Sequence, residues 1–125
     1  MVEENNIKIY EIFWSVDNLK FADDILFVVL GLKKETTAPK FNVYKMPDGI
    51  RIIAFDEKDG KIRLHDSSLK LFASKKIIKD AFHKIKKMGY DCYLAEESEF
   101  GLITLSCFAP APHRYCEIVI SSSKD

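Results

Sequence analysis

The chain has 125 residues, of which 47% are hydrophobic and 30% charged, a composition typical of a globular domain with a sizeable core. Its 19 basic and 19 acidic residues cancel, so no overall attraction to nucleic acid or to an acidic membrane surface is expected. No run approaches the roughly 18 apolar residues that cross a bilayer. Three cysteines without CxxC spacing and an acidic, polar N-terminal segment favour a cytoplasmic protein that lacks a disulfide framework.

Basic residues are concentrated in one segment. Residues 58–87 contain ten Lys or Arg and three acidic residues. A nucleic-acid site would place aromatic or glycine-rich partners beside these cations, and none is arranged that way. The segment therefore indicates a solvated helix face with flanking loops, and nucleic acid is not a predicted partner.

The first half of the chain predicts a strand, a helix and three further strands. Residues 8–16 are rich in β-branched and aromatic types, as in a strand with one buried face. Asp17-Asn18 can cap a helix that ends before Gly31, where a positive φ is needed. The strands that follow are predicted at 33–37, 41–44 and 50–55, the last two being separated by the turn Pro47-Asp48-Gly49.

The second half repeats this order. It predicts a strand at 67–74, an amphipathic helix at 75–88 and strands at 90–94, 101–108 and 114–120. Gly31 and Gly89 are 58 positions apart, and Glu11 and Ser68 are 57 apart. Internal repetition at a fixed period constrains architecture strongly. We therefore predict one α+β domain over residues 1–125, built from two βαβββ modules at about 7–58 and 61–121.

This duplicated unit resembles the vicinal oxygen chelate superfamily of glyoxalases, bleomycin-resistance proteins and extradiol dioxygenases. The first helix opens at Val16-Asp17-Asn18-Leu19 and closes at Leu30-Gly31-Leu32, and Glu117-Ile118 is similar to the closing Glu-Leu of the family. The resemblance implies a cup-shaped mixed sheet with helices outside, in which small molecules bind. It also implies a homodimer as a possible assembly, because module edges in that family often pair or swap.

The resemblance further implies a metal held by one residue on the first and one on the last strand of each module. Carried over to this sequence, those positions are Glu11, Ala54, Ser68 and Glu117. Only the two glutamates are ordinary ligands, and a divalent ion needs a nearly complete donor set. We therefore expect no cofactor, with Glu11 and Glu117 as the ligands if a divalent metal does bind.

Glu11 and Glu117 are also the candidate catalytic residues. If both side chains face one cup, their proximity raises the pKa of one carboxyl group and allows it to carry a proton. The alternative is structural, with Glu11 in solvent and Glu117 in an ion pair with Arg51 or Arg114. The residues leave both interpretations open.

Aromatic side chains on the strands are candidate ligand contacts. Phe13 and Trp14 are neighbours in a predicted strand and point to opposite faces, so one of the two faces the cup. An aromatic ring on that face would line an apolar pocket, whereas one on the other face belongs to the core. His113 precedes the last strand and can reach the mouth of the cup. The predicted ligand-binding residues are Trp14, Phe13, Tyr44, Phe108 and His113.

The function best supported by these features is binding of a small organic molecule in the cup without the full metal site, as in the resistance-type members of the family. The first alternative is a metal-dependent lyase, isomerase or dioxygenase of the same superfamily. The second alternative is a ferredoxin-like regulatory or interaction domain, in which the repeat is accidental. Whether the chain is an enzyme is left open by the sequence.

Overall fold

The structure is a computed structural model that describes residues 7, 9–16, 18–56, 67–97, 101–110 and 116–122. The described elements are β1 Glu11–Ser15, α1 Leu19–Asp23 with a π-helical continuation at Asp24–Val29, β2 Lys33–Thr37, β3 Phe41–Lys45, β4 Arg51–Phe55, β5 Ser67–Ala73, α2 Lys75–Lys87, β6 Asp91–Glu97, β7 Leu102–Phe108 and β8 Cys116–Ser122. Neither described helix has the length and apolar character that a membrane span requires.

Each half of the chain forms a four-stranded sheet with the same strand order. The first sheet is ordered β1-β4-β3-β2 and the second β5-β8-β7-β6. In both sheets the first and last strands of the module are parallel, and the remaining pairs are antiparallel. The two predicted βαβββ modules are thus confirmed. A ferredoxin-like domain has the order βαββαβ, so this alternative is wrong.

Local signals fix the helix boundaries where the sequence predicts them. Asn18 caps α1 through its side-chain oxygen, and Ser74 caps α2 in the same way. Gly31 and Gly89 follow the two helices with φ values of 72° and 90°. Because a Cβ atom disfavours these conformations, glycine ends both helices efficiently.

Strand alternation gives each sheet a buried face, which packs on a helix, and an open face. In β1, Trp14 is only 2% exposed whereas its neighbour Phe13 is 66% exposed. In the second sheet, Leu71 is buried whereas Phe72 is 81% exposed. Helix α2 also contacts the π-helical segment, so the helix-covered faces of the two sheets adjoin. We call these open faces the concave faces of the two sheets.

Tyr90 links the two modules. Its hydroxyl donates a hydrogen bond to Asp24 Oδ2 at 2.5 Å, and Lys20 Nζ donates to the same oxygen at 2.8 Å. The Tyr90 ring also packs edge-on against Phe21, with ring centroids 5.2 Å apart. Burial and the neighbouring Asp24 carboxylate raise the pKa of Tyr90. The contact therefore joins a helix of the first module to the second module through one residue.

Candidate functional site

The concave face of the first sheet carries a cavity of about 490 Å³. Its floor is formed by five apolar side chains from three adjacent strands, which we call the apolar bed: Phe13, Phe41, Val43, Ile53 and Phe55. Lys40 and Asp56, just beyond the ends of β3 and β4, complete the lining. The rings of Phe13 and Phe55 meet edge-on, with centroids 6.3 Å apart. An apolar concave surface of this size is suited to a small organic molecule.

One end of the same face carries charged side chains on four adjacent strands. We call the following residues, which lie directly opposite one another, the charged row: Glu11, Arg51, Lys45 and Lys33. Arg51 Nε donates to Glu35 Oε1 at 2.7 Å, and Arg51 Nη1 donates to the Tyr10 hydroxyl at 3.2 Å. The hydrogen bond from Arg51, helped by the nearby lysines, lowers the pKa of Glu35. Arg51 is thereby held in place beside the apolar bed.

The concave face of the second sheet is more polar. Glu117 lies between Ser68 and Phe108 on the neighbouring strands. Farther along the same face, Thr104 Oγ1 and Ser121 Oγ are 3.4 Å apart and share a hydrogen bond. The two concave faces therefore differ, one carrying an apolar bed and the other a surface with several hydroxyl groups.

The strand pairing identifies equivalent positions in the two modules. Glu11 lies opposite Arg51 in the first parallel ladder, as Ser68 lies opposite Glu117 in the second. Arg51, and not Ala54, is therefore the counterpart of Glu117. Ala54 is fully buried on the face that packs against the helix, so its predicted place among the ligand positions is corrected.

The corrected set does not fit a divalent metal ion. A guanidinium is always protonated and has no lone pair to donate, so Arg51 cannot be a ligand. Ser68 offers only a neutral hydroxyl, which leaves Glu11 and Glu117 as the ordinary donors. Within the described parts of the chain, no three His, Cys, Asp or Glu side chains are grouped to hold a metal ion.

Glu11 and Glu117, the predicted catalytic residues, lie in different sheets. Glu11 is exposed at the start of β1, and Glu117 is partly buried near the start of β8. Cys116 Sγ lies 3.9 Å from the Ser15 carbonyl oxygen, so β8 starts near the end of β1 that is farther from Glu11. The two carboxylates form no hydrogen bond with each other, and their catalytic role stays a prediction.

Two of the predicted ligand contacts lie on the concave faces. Phe13 is part of the apolar bed of the first sheet. Phe108 lies beside Glu117 in the second sheet, and its ring meets that of Tyr93 with centroids 6.0 Å apart. His113 lies outside the described residues. Phe13 is thus the predicted contact that the structure places in the cavity.

Trp14 and Tyr44 are corrected from ligand contacts to core residues. Trp14 packs edge-on against Phe21 under the first helix, with ring centroids 6.2 Å apart. Tyr44 is fully buried, and its hydroxyl donates to Asp23 Oδ1 at 2.9 Å while accepting from Asn42 Nδ2 at 3.1 Å. The physical reason is the two-residue period of the strand, which turns both side chains toward the helix.

The sequence reasoning missed several residues of the site. Those it did not select include Phe41, Val43, Ile53, Phe55, Arg51, Lys45 and Lys33. Tyr44 and Ala54 are buried, so alternation along β3 and β4 shows which of their side chains face the other way, and Lys33 is identified by its pairing with Lys45.

No protein-family model matches the chain, and no curated protein matches it significantly. Solved structures do resemble it. The lactoylglutathione lyase from Agrobacterium tumefaciens superposes with a TM-score of 0.72 at 13% identity, covering 97% of each chain. Oxidase ChaP-H2 gives 0.71 at 12% identity over 94% of each chain. A glyoxalase/dioxygenase from Nostoc punctiforme gives 0.69 at 14% identity, covering 98% of this chain and 95% of its own. The chain therefore has the α+β fold of the vicinal oxygen chelate superfamily, as its sequence resemblance predicts.

Proposed function

We propose that the chain binds a small organic molecule on the concave face of its first sheet, and that it does so without a four-ligand metal site. The observation that carries this proposal is the apolar bed. Phe13 and Phe41 leave 66% and 38% of their surfaces exposed in a concavity of about 490 Å³. Covering apolar surface contributes about 25 cal/mol per Å², so a flat ligand is stabilised wherever it covers these rings.

Arg51 supports the metal-free form of the proposal. The guanidinium stands at one of the four equivalent positions and would repel a divalent cation there. Its hydrogen bonds to Glu35 and Tyr10 hold it on the open face. The described residues thus favour binding by apolar contact over chemistry at a metal ion.

The cysteines support a function in a reducing compartment such as the cytoplasm. Cys92, Cys107 and Cys116 are buried and are not joined in a disulfide. Cys92 and Cys107 lie directly opposite each other on β6 and β7. Burial raises the pKa of Cys107 to about 12, which keeps it a protonated core side chain.

A neutral apolar probe tests the proposal. We expect naphthamide to bind, and Ile53→Ser to weaken its binding roughly tenfold, because the substitution removes apolar contact worth about 1–1.5 kcal/mol. The matched control is Val119→Ser, since Val119 follows Glu117 by two residues as Ile53 follows Arg51. Circular dichroism checks that both variants fold, and Phe13→Ser provides a second change in the bed. Equal weakening by the control, or no binding by the wild type, would contradict the proposal.

A further inference from the structure

We infer that the molecule bound on the first sheet is an amphiphilic anion, with a ring-sized apolar body and one negatively charged group. This inference rests on the function proposed above. The apolar bed would cover the body, and the charged row would receive the anionic group. Three observations carry it: the cations of the row, their distance from the bed, and the contrast with the second sheet.

The charged row places like charges side by side. Lys45 lies directly opposite both Lys33 and Arg51. Like charges directly opposite each other destabilise a sheet, so such an arrangement is unfavourable unless an anion lies nearby. Glu35 is the nearby carboxylate: it bonds Arg51 and interacts with both lysines at longer range. Among the described residues no carboxylate lies within 4 Å of the ammonium group of Lys33 or Lys45, so both can also bind an external anion.

The charged row and the apolar bed are close enough for one small molecule to contact both. Val43 and Ile53 lie two residues along their strands from Lys45 and Arg51, on the same face. Two residues of a strand span about 7 Å, and four span about 14 Å. A molecule whose charged group lies within about 7 Å of the middle of its apolar body therefore reaches both.

The second sheet carries acidic residues at two of the three equivalent positions. The counterparts of Lys33, Lys45 and Arg51 in its ladder are Asp91, Phe108 and Glu117. An anionic group is therefore favoured at the first sheet and disfavoured at the second, so an amphiphilic anion should select the first sheet.

Three probes that share one apolar body test the inference: naphthoate, naphthamide and naphthylmethylammonium. Calorimetry should show naphthoate binding about tenfold more tightly than the amide, and the cation binding most weakly. Added salt should weaken the binding of naphthoate more than that of the amide. Lys45→Gln should remove most of the preference for naphthoate. Lys70→Gln, on the concave face of the second sheet, is the control and should keep it. Lys40→Gln, at the other end of the cavity, tests the opposite placement of the anionic group.

The outcomes separate this inference from the proposed function. Equal affinity for the three probes, with all binding weakened by Ile53→Ser, would overturn the anion preference and leave the binding site intact. Loss of the preference in Lys40→Gln and not in Lys45→Gln would overturn the placement of the anionic group at the charged row. If none of the probes binds, both the inference and the proposed function fail.

Discussion

Arg51 in the first sheet occupies the place that Glu117 occupies in the second, because each lies directly opposite the start of the first strand of its module. The two modules share their strand order, and the helix of each is capped by a side chain at its N-terminus. At this position, however, they carry opposite charges. A cation therefore stands at one of the four positions where the sequence resemblance implies a metal ligand. The open face that results is suited to an anion with an apolar body.

The metal-free interpretation predicts the response to divalent ions. Ni²⁺, Zn²⁺ and Mn²⁺ should not raise the thermal midpoint of the wild-type chain. Arg51→Gln removes the positive charge without adding a donor group, so this variant should not be stabilised by these ions either. Thermal-shift titration measures both proteins. A clear upward shift of the wild type that Glu11→Gln and Glu117→Gln both abolish would contradict the account.

The face assignment of β4 predicts opposite outcomes at two adjacent residues. Ala54→Asp places a carboxylate in the buried core, and we expect a loss of about 3 kcal/mol or more in the free energy of unfolding. Ile53→Asp places the same group on the open face and should cost less than about 1 kcal/mol. Urea unfolding followed by the fluorescence of Trp14, the single tryptophan, measures both. Equal losses would contradict the assignment.

The link between the modules predicts a stability loss at Tyr90. Tyr90→Phe keeps the ring against Phe21 and removes the hydrogen bond to the Asp24 carboxylate. A hydrogen bond to a charged group contributes about 1.5–3 kcal/mol, and because Lys20 still bonds Asp24 we expect the lower part of this range. The same urea experiment measures it. Tyr93→Phe is the matched control, since Tyr93 is 59% exposed, and a loss as large there would contradict the role of the link.

Alkaline pH should destabilise the fold through Tyr44. Burial and the hydrogen bond to Asp23 raise the pKa of Tyr44 above the value of about 10 that it has in the unfolded chain. Above pH ~10 the unfolded chain releases a proton that the folded chain still holds, so the free energy of unfolding falls as the pH rises. The slope for this group is up to about 1.4 kcal/mol per pH unit, and the contribution is fully present below pH ~10. Unfolding titrations of Tyr44→Phe between neutral and alkaline pH should show a shallower fall, and an unchanged slope would contradict the prediction.

Most of the fold could be predicted from the sequence because its signals are local and repeated. Asn18 and Gly31 fix the ends of the first helix, and Gly89 marks the same point in the second module. The π-helical turn at Asp24–Val29 was not predicted. Asp24 is only 8% exposed because its hydrogen-bond partner, Tyr90, comes from the other module, a contact that no local pattern shows.

The site was only partly predictable, because it depends on strand pairing. The sequence resemblance places Ala54 among the ligand positions. The ladders show that the residue equivalent to Glu117 lies three positions earlier, at Arg51. Similarly, alternation shows that Phe13 and Trp14 face opposite sides, but the assignment of each ring to a side requires the position of the helix.

Chemical-shift mapping of naphthoate on the isotopically labelled protein shows on which sheet the ligand binds. We predict the largest backbone amide shifts in Phe41–Lys45 and Arg51–Phe55 and at Phe13. These shifts should be strongly reduced in Ile53→Ser and retained in Val119→Ser. Shifts concentrated in Leu102–Phe108 and Cys116–Ser122, or none at saturating naphthoate, would contradict this prediction.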